Sequence, residues 1–215
     1  MSKLITVEGV DCAGKSSVII PYLKDKLGND NFDYYDDLKT GDLAYSIREI
    51  FMNRELVQNS TDWRTIAFLV SAARSDIVKK YIEPSLQNKK NVIMDRYVDT
   101  SFVYNLKSDT APIDTILNLS THLIYPDIVI FAYCSYEEMV KRKQKRSEEN
   151  NDQWDISSRE EHDNIFYRYK SRLYSANKTV IEIDTSVSIE DTYRQLDEKL
   201  ISKYFKYENY NVYYA

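Results

Sequence analysis

The chain has 215 residues, which is the length of one ordinary domain. With 43% hydrophobic and 29% charged residues it can bury a core, and its longest apolar runs are too short to span a membrane. A net charge of −5 argues against binding to nucleic acid polymers, because that binding requires many Lys and Arg side chains against phosphates.

The start of the sequence and its cysteines indicate a cytoplasmic location. Residues 1–7 show no basic region followed by an apolar stretch and a cleavage site, so no secretion signal is expected. Cys12 and Cys134 are too few for a disulfide framework, which fits a reducing compartment.

Short apolar runs alternate with helical patterns along the chain. The runs predict strands at 4–8, 32–35, 91–95, 127–132 and 179–184. The intervening patterns predict helices that include 15–27 with a kink at Pro21, 43–51, and 61–88 with a bend at Pro84. This alternation is typical of an α/β domain with a doubly wound, five-stranded parallel sheet flanked by helices.

A phosphate-binding pattern follows the first strand. The segment that matches G-x-x-x-x-G-K-[ST] consists of Gly9, Val10, Asp11, Cys12, Ala13, Gly14, Lys15 and Ser16. Glycines allow the main chain to curl so that its N–H groups surround an anion, and the helix N-terminus adds a favourable dipole. We expect an ATP site here that extends to Ser17, with Lys15 on the phosphates and Ser16 as a Mg²⁺ ligand.

The third predicted strand ends in Asp95-Arg96-Tyr97. A carboxylate at the carboxyl end of a parallel strand faces the ligand crevice, close to the phosphate loop if the two strands are neighbours. Asp95 would then join Ser16 at Mg²⁺, and the forked guanidinium of Arg96 would suit a phosphate. A surface ion pair at the strand end is the alternative interpretation.

These segments together resemble the thymidylate kinase family. Residues 7–17 look like the opening of those proteins, 95–104 resemble their D-R-Y-x-x-S-x-x-A-Y segment, and 68–74 resemble their F-x-A-x-R helix. The resemblance implies a P-loop NTPase fold with a helical lid. It also implies a single nucleoside monophosphate kinase domain over 1–215, with a basic lid at about 141–160 and a tyrosine-rich tail at 204–215.

The reaction implied by the resemblance is phosphorylation of dTMP to dTDP by ATP and Mg²⁺, in deoxynucleotide biosynthesis, by a homodimer. The acceptor residues carried over from the family are Asp37, Arg48, Val70, Arg74, Arg96, Thr100 and Tyr104. In this assignment Arg48 and Arg96 bind the acceptor phosphate and Arg74 reaches the base. Tyr104 lies against the sugar, where a 2′-hydroxyl would be crowded.

The sequence departs from the family pattern around the acceptor base. Residues 36–40 replace the R-E-P-G-G loop, and Val70 occupies the position of the aromatic residue that stacks on thymine. Phe68 lies about 200° away on the same helix, so it cannot substitute. We therefore expect the base to be held differently, with other pyrimidine deoxynucleotides as further acceptors.

A second departure concerns the arginine that assists phosphoryl transfer. Cys12 takes the place that an arginine has in some family members, and counting along the lid from Arg146 leads to uncharged residues. Arg159 is the nearest candidate and is predicted to be catalytic. Arg142 and Arg146 are expected to bind ATP as supporting cations.

Two other functions remain open. A deoxynucleoside kinase would need a general base near the sugar hydroxyl, and Glu8, directly before the phosphate loop, is the candidate. A nucleotide-binding protein without catalysis would explain the missing lid arginine. The cluster of predicted phosphate-binding arginines favours the monophosphate kinase.

Overall fold

Five parallel strands form the centre of the fold. The computed structural model describes residues 2–53, 63–104, 113–145, 156–175 and 178–205. The strands are β1 (Leu4–Gly9), β2 (Phe32–Asp36), β3 (Asn91–Asp95), β4 (Ile128–Tyr133) and β5 (Thr179–Asp184). They pair in the order β2-β3-β1-β4-β5, all in parallel. The predicted parallel sheet is confirmed, and β1 and β3 are neighbours, as the predicted site required.

Helices connect successive strands. In chain order they are α1 (Ile20–Leu27), α2 (Asp42–Met52), α3 (Trp63–Ile77), α4 (Glu83–Gln87), α5 (Val98–Tyr104), α6 (Ile113–Ser120), α7 (Tyr136–Lys145), α8 (Arg159–Ser175), α9 (Ile189–Leu196) and α10 (Ser202–Tyr204). No helix among the described residues has both the length and the apolar character needed to cross a membrane.

The two prolines that were expected to bend helices each follow a π-helical turn. Lys15–Ile19 leads without interruption into α1, and Val78–Ile82 joins α3 to α4. Pro21 and Pro84 stand in the first turns of the α-helices that follow. Proline lacks an N–H and crowds the carbonyl group one turn earlier, and a wider turn accommodates it without ending the helix.

Two apolar cores lie on opposite faces of the sheet. Alternate residues of β1 point into the two cores: Ile5 and Val7 belong to one buried cluster and Leu4 belongs to the other. The first cluster includes residues of α1, α8 and α9, and the second includes residues of α2, α3 and α5. The sheet is therefore covered on both sides, and its carboxyl edge is the place left for a ligand.

A buried ion cluster anchors α5, which carries much of the predicted acceptor site. The Asp99 carboxylate is 1% exposed, and it lies 2.9 Å from Arg172 Nε of α8 and 2.6 Å from Lys178 Nζ. The Arg172 guanidinium also lies 3.6 Å from the ring centroid of Phe102. One carboxylate thus ties α5 to α8 and to the segment that enters β5.

Asp99→Asn is expected to lower the free energy of unfolding by about 3 kcal/mol, because it leaves Arg172 and Lys178, whose side chains are only 18% and 6% exposed, without their counter-charge. The matched control is Asp191→Asn, whose carboxylate pairs with Arg194 at side-chain exposures of 41% and 68%; its expected cost is under about 1 kcal/mol. Urea unfolding of both variants measures the difference, and equal costs would contradict an anchoring role for Asp99.

Parts of two predicted segments lie outside the described residues. These are 146–155 of the predicted lid, with Arg146, and 206–215 of the tyrosine-rich tail. Phe205, just before that limit, is buried and meets the ring of Phe32 edge-on at a centroid distance of 5.2 Å.

Candidate active site

The phosphate loop joins β1 to the helix that starts at Lys15. Gly9 has φ 147°, and a Cβ there would lie 1.8 Å from the carbonyl oxygen of Ala132 on β4. Gly14 and Cys12 both have positive φ, at 69° and 56°, a region that costs an ordinary residue about 1–2 kcal/mol. Cys12 is thus held in a strained backbone conformation, which is often associated with ligand sites.

The side chain of Lys15 folds back onto the phosphate loop. Its Nζ donates to the carbonyl oxygens of Gly9, at 3.1 Å, and Val10, at 2.7 Å. The side chain is buried, and burial, followed by the nearby charge of Arg96, lowers the pKa of the ammonium to about 8. A charge placed at such a cost in desolvation is suited to bind an incoming anion.

Ser16 and Asp95 bring the loop and β3 together. The Ser16 hydroxyl donates to Asp95 Oδ2, and both residues line the same cavity. Hydroxyl and carboxylate oxygens are hard ligands suited to Mg²⁺, which usually takes one or two protein ligands and completes its shell with water and phosphate. No cluster of three or more potential metal-binding His, Cys, Asp or Glu residues occurs in the described part of the chain.

Arg96 directly follows Asp95 and has an unusual backbone conformation, with φ 64°. Its Nη2 lies 2.7 Å from Asp11 Oδ1, and its Cζ lies 5.4 Å from the ring centroid of Tyr104. Three oxygen atoms lie 3.4–3.5 Å from Nη1. These distances are longer than that of a good N–H···O hydrogen bond. This edge of the guanidinium is therefore weakly bonded and can accept a stronger partner.

A cavity of about 180 Å³ opens beside this arginine. It is lined by Asp11, Ser16, Asp36, Asp37, Leu38, Lys39, Arg48, Met52, Val70, Arg74, Asp95, Arg96, Thr100, Ser101 and Tyr104. The structure thus brings together all the residues predicted on the acceptor side, Asp37, Arg48, Val70, Arg74, Arg96, Thr100 and Tyr104, in one cavity next to the phosphate loop.

A buried ion pair forms part of the cavity lining. Arg74 Nε donates to Asp37 Oδ1 at 2.8 Å, and its Nη1 donates to Ser101 Oγ at 2.6 Å. The Asp37–Arg74 pair was not expected from the sequence, although both residues were assigned to the acceptor. Val70 is part of the cavity lining, whereas Phe68 is 56% exposed and is not part of it, as the position of Phe68 on the helix predicted.

Two arginines of the predicted lid segment have protein partners. Arg142 Nη1 donates to the carbonyl oxygen of Cys12 at 2.9 Å and to Thr185 Oγ1 at 3.1 Å, so it braces the loop against the end of β5. Arg159 pairs with Glu137 of α7 and is not part of the cavity lining. Its catalytic role stays a prediction, and this conformation does not bring it to the acceptor.

Sequence reasoning missed a polar network behind the cavity. Glu8 is fully buried, and its carboxylate accepts hydrogen bonds from Tyr97 N at 2.9 Å, Thr100 Oγ1 at 2.6 Å and Tyr169 Oη at 3.2 Å. Burial, followed by the charge of Asp99, raises the pKa of Glu8 to about 7. Because Glu8 does not line the cavity, its position does not favour a general-base role toward a nucleoside hydroxyl.

Other proteins are similar to this chain in sequence and in fold. The family model described as thymidylate kinase matches residues 7–196. The thymidylate kinase of Mycoplasma genitalium is 30% identical over 84% of this chain and 86% of its own length. That of Finegoldia magna is 30% identical over 91% of this chain and 96% of its own length. The crystal structure of thymidylate kinase from Ehrlichia chaffeensis superposes with a TM-score of 0.68 at 20% identity, covering 92% of this chain and 97% of that one.

Proposed function

The chain belongs to the thymidylate kinase family, and from that premise we propose that it transfers the γ-phosphoryl group of ATP to dTMP, giving ADP and dTDP. The enzyme is a phosphotransferase, and ATP is its donor. Other pyrimidine deoxynucleoside monophosphates are proposed as further acceptors, since Val70, which lines the cavity, takes the place of the family's base-stacking aromatic residue.

One observation carries the proposal: Ser16 of the phosphate loop and Arg96 line the same cavity, together with Arg48 and Arg74. A donor phosphate on the loop and an acceptor phosphate on the arginines would meet end to end. Phosphoryl transfer requires little covalent chemistry from the protein, so that positioning the two anions and neutralising the migrating charge provide most of the rate.

The proposed division of labour follows from the contacts of each group. Lys15 would leave the two loop carbonyl oxygens and bind the donor phosphates. Arg96 would use its weakly bonded Nη1 edge for the acceptor phosphate while Asp11 holds the other edge. Arg74, fixed by Asp37, would donate to the base, and Tyr104 would lie against the deoxyribose.

Mg²⁺ is proposed as the metal, with Ser16 and Asp95 to hold it. When bound, it would neutralise charge on the donor phosphates. Arg159 remains the proposed lid arginine, and in that role its guanidinium would have to exchange Glu137 for the nucleotide. Arg142 is proposed to support ATP through its contact with the loop, and Arg146 lies outside the described residues.

We also propose a cytoplasmic homodimer built from one nucleoside monophosphate kinase domain per chain. Exposed apolar side chains on α3 and α6 support an interface on that side: Phe68 is 56%, Ile113 51% and Leu117 38% exposed. Such side chains on neighbouring helices are more typical of a contact surface than of a surface in water.

The test is a coupled assay of ADP release with dTMP, dUMP, dCMP, thymidine and no acceptor. We expect dTMP to be phosphorylated, with kcat/KM for thymidine lower by roughly 100-fold or more, because thymidine lacks the phosphate that the arginines bind. Thymidine and dTMP differ only in that phosphate and control for each other. Faster turnover of thymidine would indicate the deoxynucleoside kinase, and no ADP with any acceptor would indicate a binding protein.

A further inference from the structure

The Glu8 carboxylate lies where three parts of the protein meet. It is at the end of β1, beneath the first turn of α5, and against Tyr169 of α8. Both Glu8 and Tyr169 have no exposed surface. A charged group buried to this extent is costly unless its hydrogen bonds are satisfied, and here three donors satisfy it.

Glu8 also determines how the two neighbouring hydroxyl groups are oriented. An ionised carboxylate only accepts hydrogen bonds, so Thr100 and Tyr169 direct their hydroxyl protons toward Glu8. Lone pairs of the same oxygen atoms then face Arg96 Nη1, which lies 3.5 Å from Thr100 Oγ1 and 3.4 Å from Tyr169 Oη. The charge of Glu8 therefore determines whether the hydroxyl oxygen atoms around Arg96 act as hydrogen-bond acceptors.

The backbone of Arg96 depends on the same carboxylate. With φ 64°, Arg96 adopts a conformation that only the surrounding structure can maintain. Its N–H donates to Val7 O at 3.0 Å, and the next N–H, that of Tyr97, donates to Glu8 Oε1 at 2.9 Å. The side chain of Glu8 thus fixes the residue after Arg96 as well as the oxygen atoms around its guanidinium.

We propose that Glu8 is a positioning residue for Arg96 and that Tyr169, by completing this network, makes the acceptor-phosphate site dependent on the packing of α8 against β1 and α5. The inference rests on the proposed function, because it assigns Arg96 to the acceptor phosphate. Neither Glu8 nor Tyr169 lines the cavity, so both act through Arg96 and Thr100 and not by touching substrate.

Glu8→Gln and Tyr169→Phe test the proposal with little change in shape. In Glu8→Gln the side-chain amide donates hydrogen bonds to the hydroxyl groups of Thr100 and Tyr169. Their protons then turn toward the Arg96 guanidinium, which is also a donor, so the two donors face each other. We expect KM for dTMP to rise and kcat to fall, with kcat/KM for dTMP lower by roughly 10- to 100-fold, while KM for ATP stays within about twofold. Tyr169→Phe should act in the same direction with a smaller effect, of roughly 3- to 10-fold.

The dependence of kcat/KM on pH distinguishes positioning by Glu8 from a purely structural role, which would not change it. Glu8 is faced by Asp99 and Arg96, by Arg74 and Lys15 at longer range, and by the Tyr169 hydroxyl. With a raised pKa of about 7, Glu8 gains a proton as pH falls below 7. Wild-type kcat/KM for dTMP should therefore decline from pH 8 to 6 more than that of Glu8→Gln, since ionisation of the substrate phosphate is common to both.

The matched control is Tyr174→Phe, on the same helix. The Tyr174 hydroxyl donates to Glu182 at an exposed site, so this variant should keep wild-type kinetics.

The double variant Glu8→Gln with Tyr169→Phe tests whether the two residues act together. Its loss in kcat/KM for dTMP should be little larger than that of Glu8→Gln alone, because both act through one network. Wild-type KM for dTMP in both single variants, or fully additive losses, would overturn the inference and leave the function intact. If wild type itself does not phosphorylate dTMP, the proposed function fails first, and thermal unfolding of each variant separates misfolding from loss of positioning.

Discussion

Lys15→Met is expected to lower kcat on the order of 10³-fold. The side chain of Lys15 is buried within the phosphate loop, and it is the loop's own mobile positive charge. Methionine has a similar length and can occupy the same space but cannot stabilise the negative charge that develops on the phosphoryl group. ADP release at saturating ATP and dTMP measures the loss.

The control for this variant is Lys79→Met, the same substitution at a side chain that is 80% exposed. It removes the same formal charge from the protein and should keep kcat within about twofold, as is usual for surface substitutions. A comparable loss in both variants would mean that net charge, rather than the loop, controls turnover.

Lys15→Met should not lower the free energy of unfolding, although it lowers activity. The pKa of Lys15 is lowered to about 8 by burial, so its charge costs folding free energy at every pH below 8, and the cost fades as pH rises toward the ordinary lysine value. Lys15→Met removes that cost. At pH 7 we expect an unfolding free energy equal to or above that of wild type, and a strong decrease would mean that the lost activity reflects misfolding.

Gly9→Ala is expected to lower the free energy of unfolding by about 4 kcal/mol or more, above the usual cost of overpacking. The added Cβ would lie 1.8 Å from the carbonyl oxygen of Ala132. That oxygen belongs to the backbone of the strand paired with β1, so it cannot move without separating the two strands at the phosphate loop. Urea unfolding and the yield of folded protein measure the effect.

Gly28→Ala is the matched control, because Gly28 also has a positive φ, at 68°, but a Cβ there meets nothing within 4 Å. With ψ −175°, Gly28 lies in a backbone region that is essentially restricted to glycine, so its cost should be only that of this conformation, about 1–3 kcal/mol. If the two variants lost the same stability, the close approach of β4 to Gly9 would not be the reason for glycine at that position.

Local sequence was sufficient for the elements and for the phosphate loop. The loop is specified within eight consecutive residues, since glycine, lysine and serine must stand at fixed spacing before a helix. The strands are short apolar runs whose ends can be read from the chain, and those at Asn91–Asp95 and Thr179–Asp184 were predicted with the bounds that the structure has. The acceptor residues came from the family resemblance, and they do converge on one cavity.

The partners of charged groups were decided only by the tertiary structure. Asp37 meets Arg74 across 37 positions, Asp99 meets Lys178 across 79, and Glu8 meets Tyr169 across 161. Counting along the chain led to Arg159 as a site residue, yet its guanidinium pairs with Glu137. Periodicity and spacing describe neighbours within one element, whereas these contacts depend on how separate helices pack on the sheet. The residue types at the site could therefore be read from the chain, but the network that holds them depends on the fold.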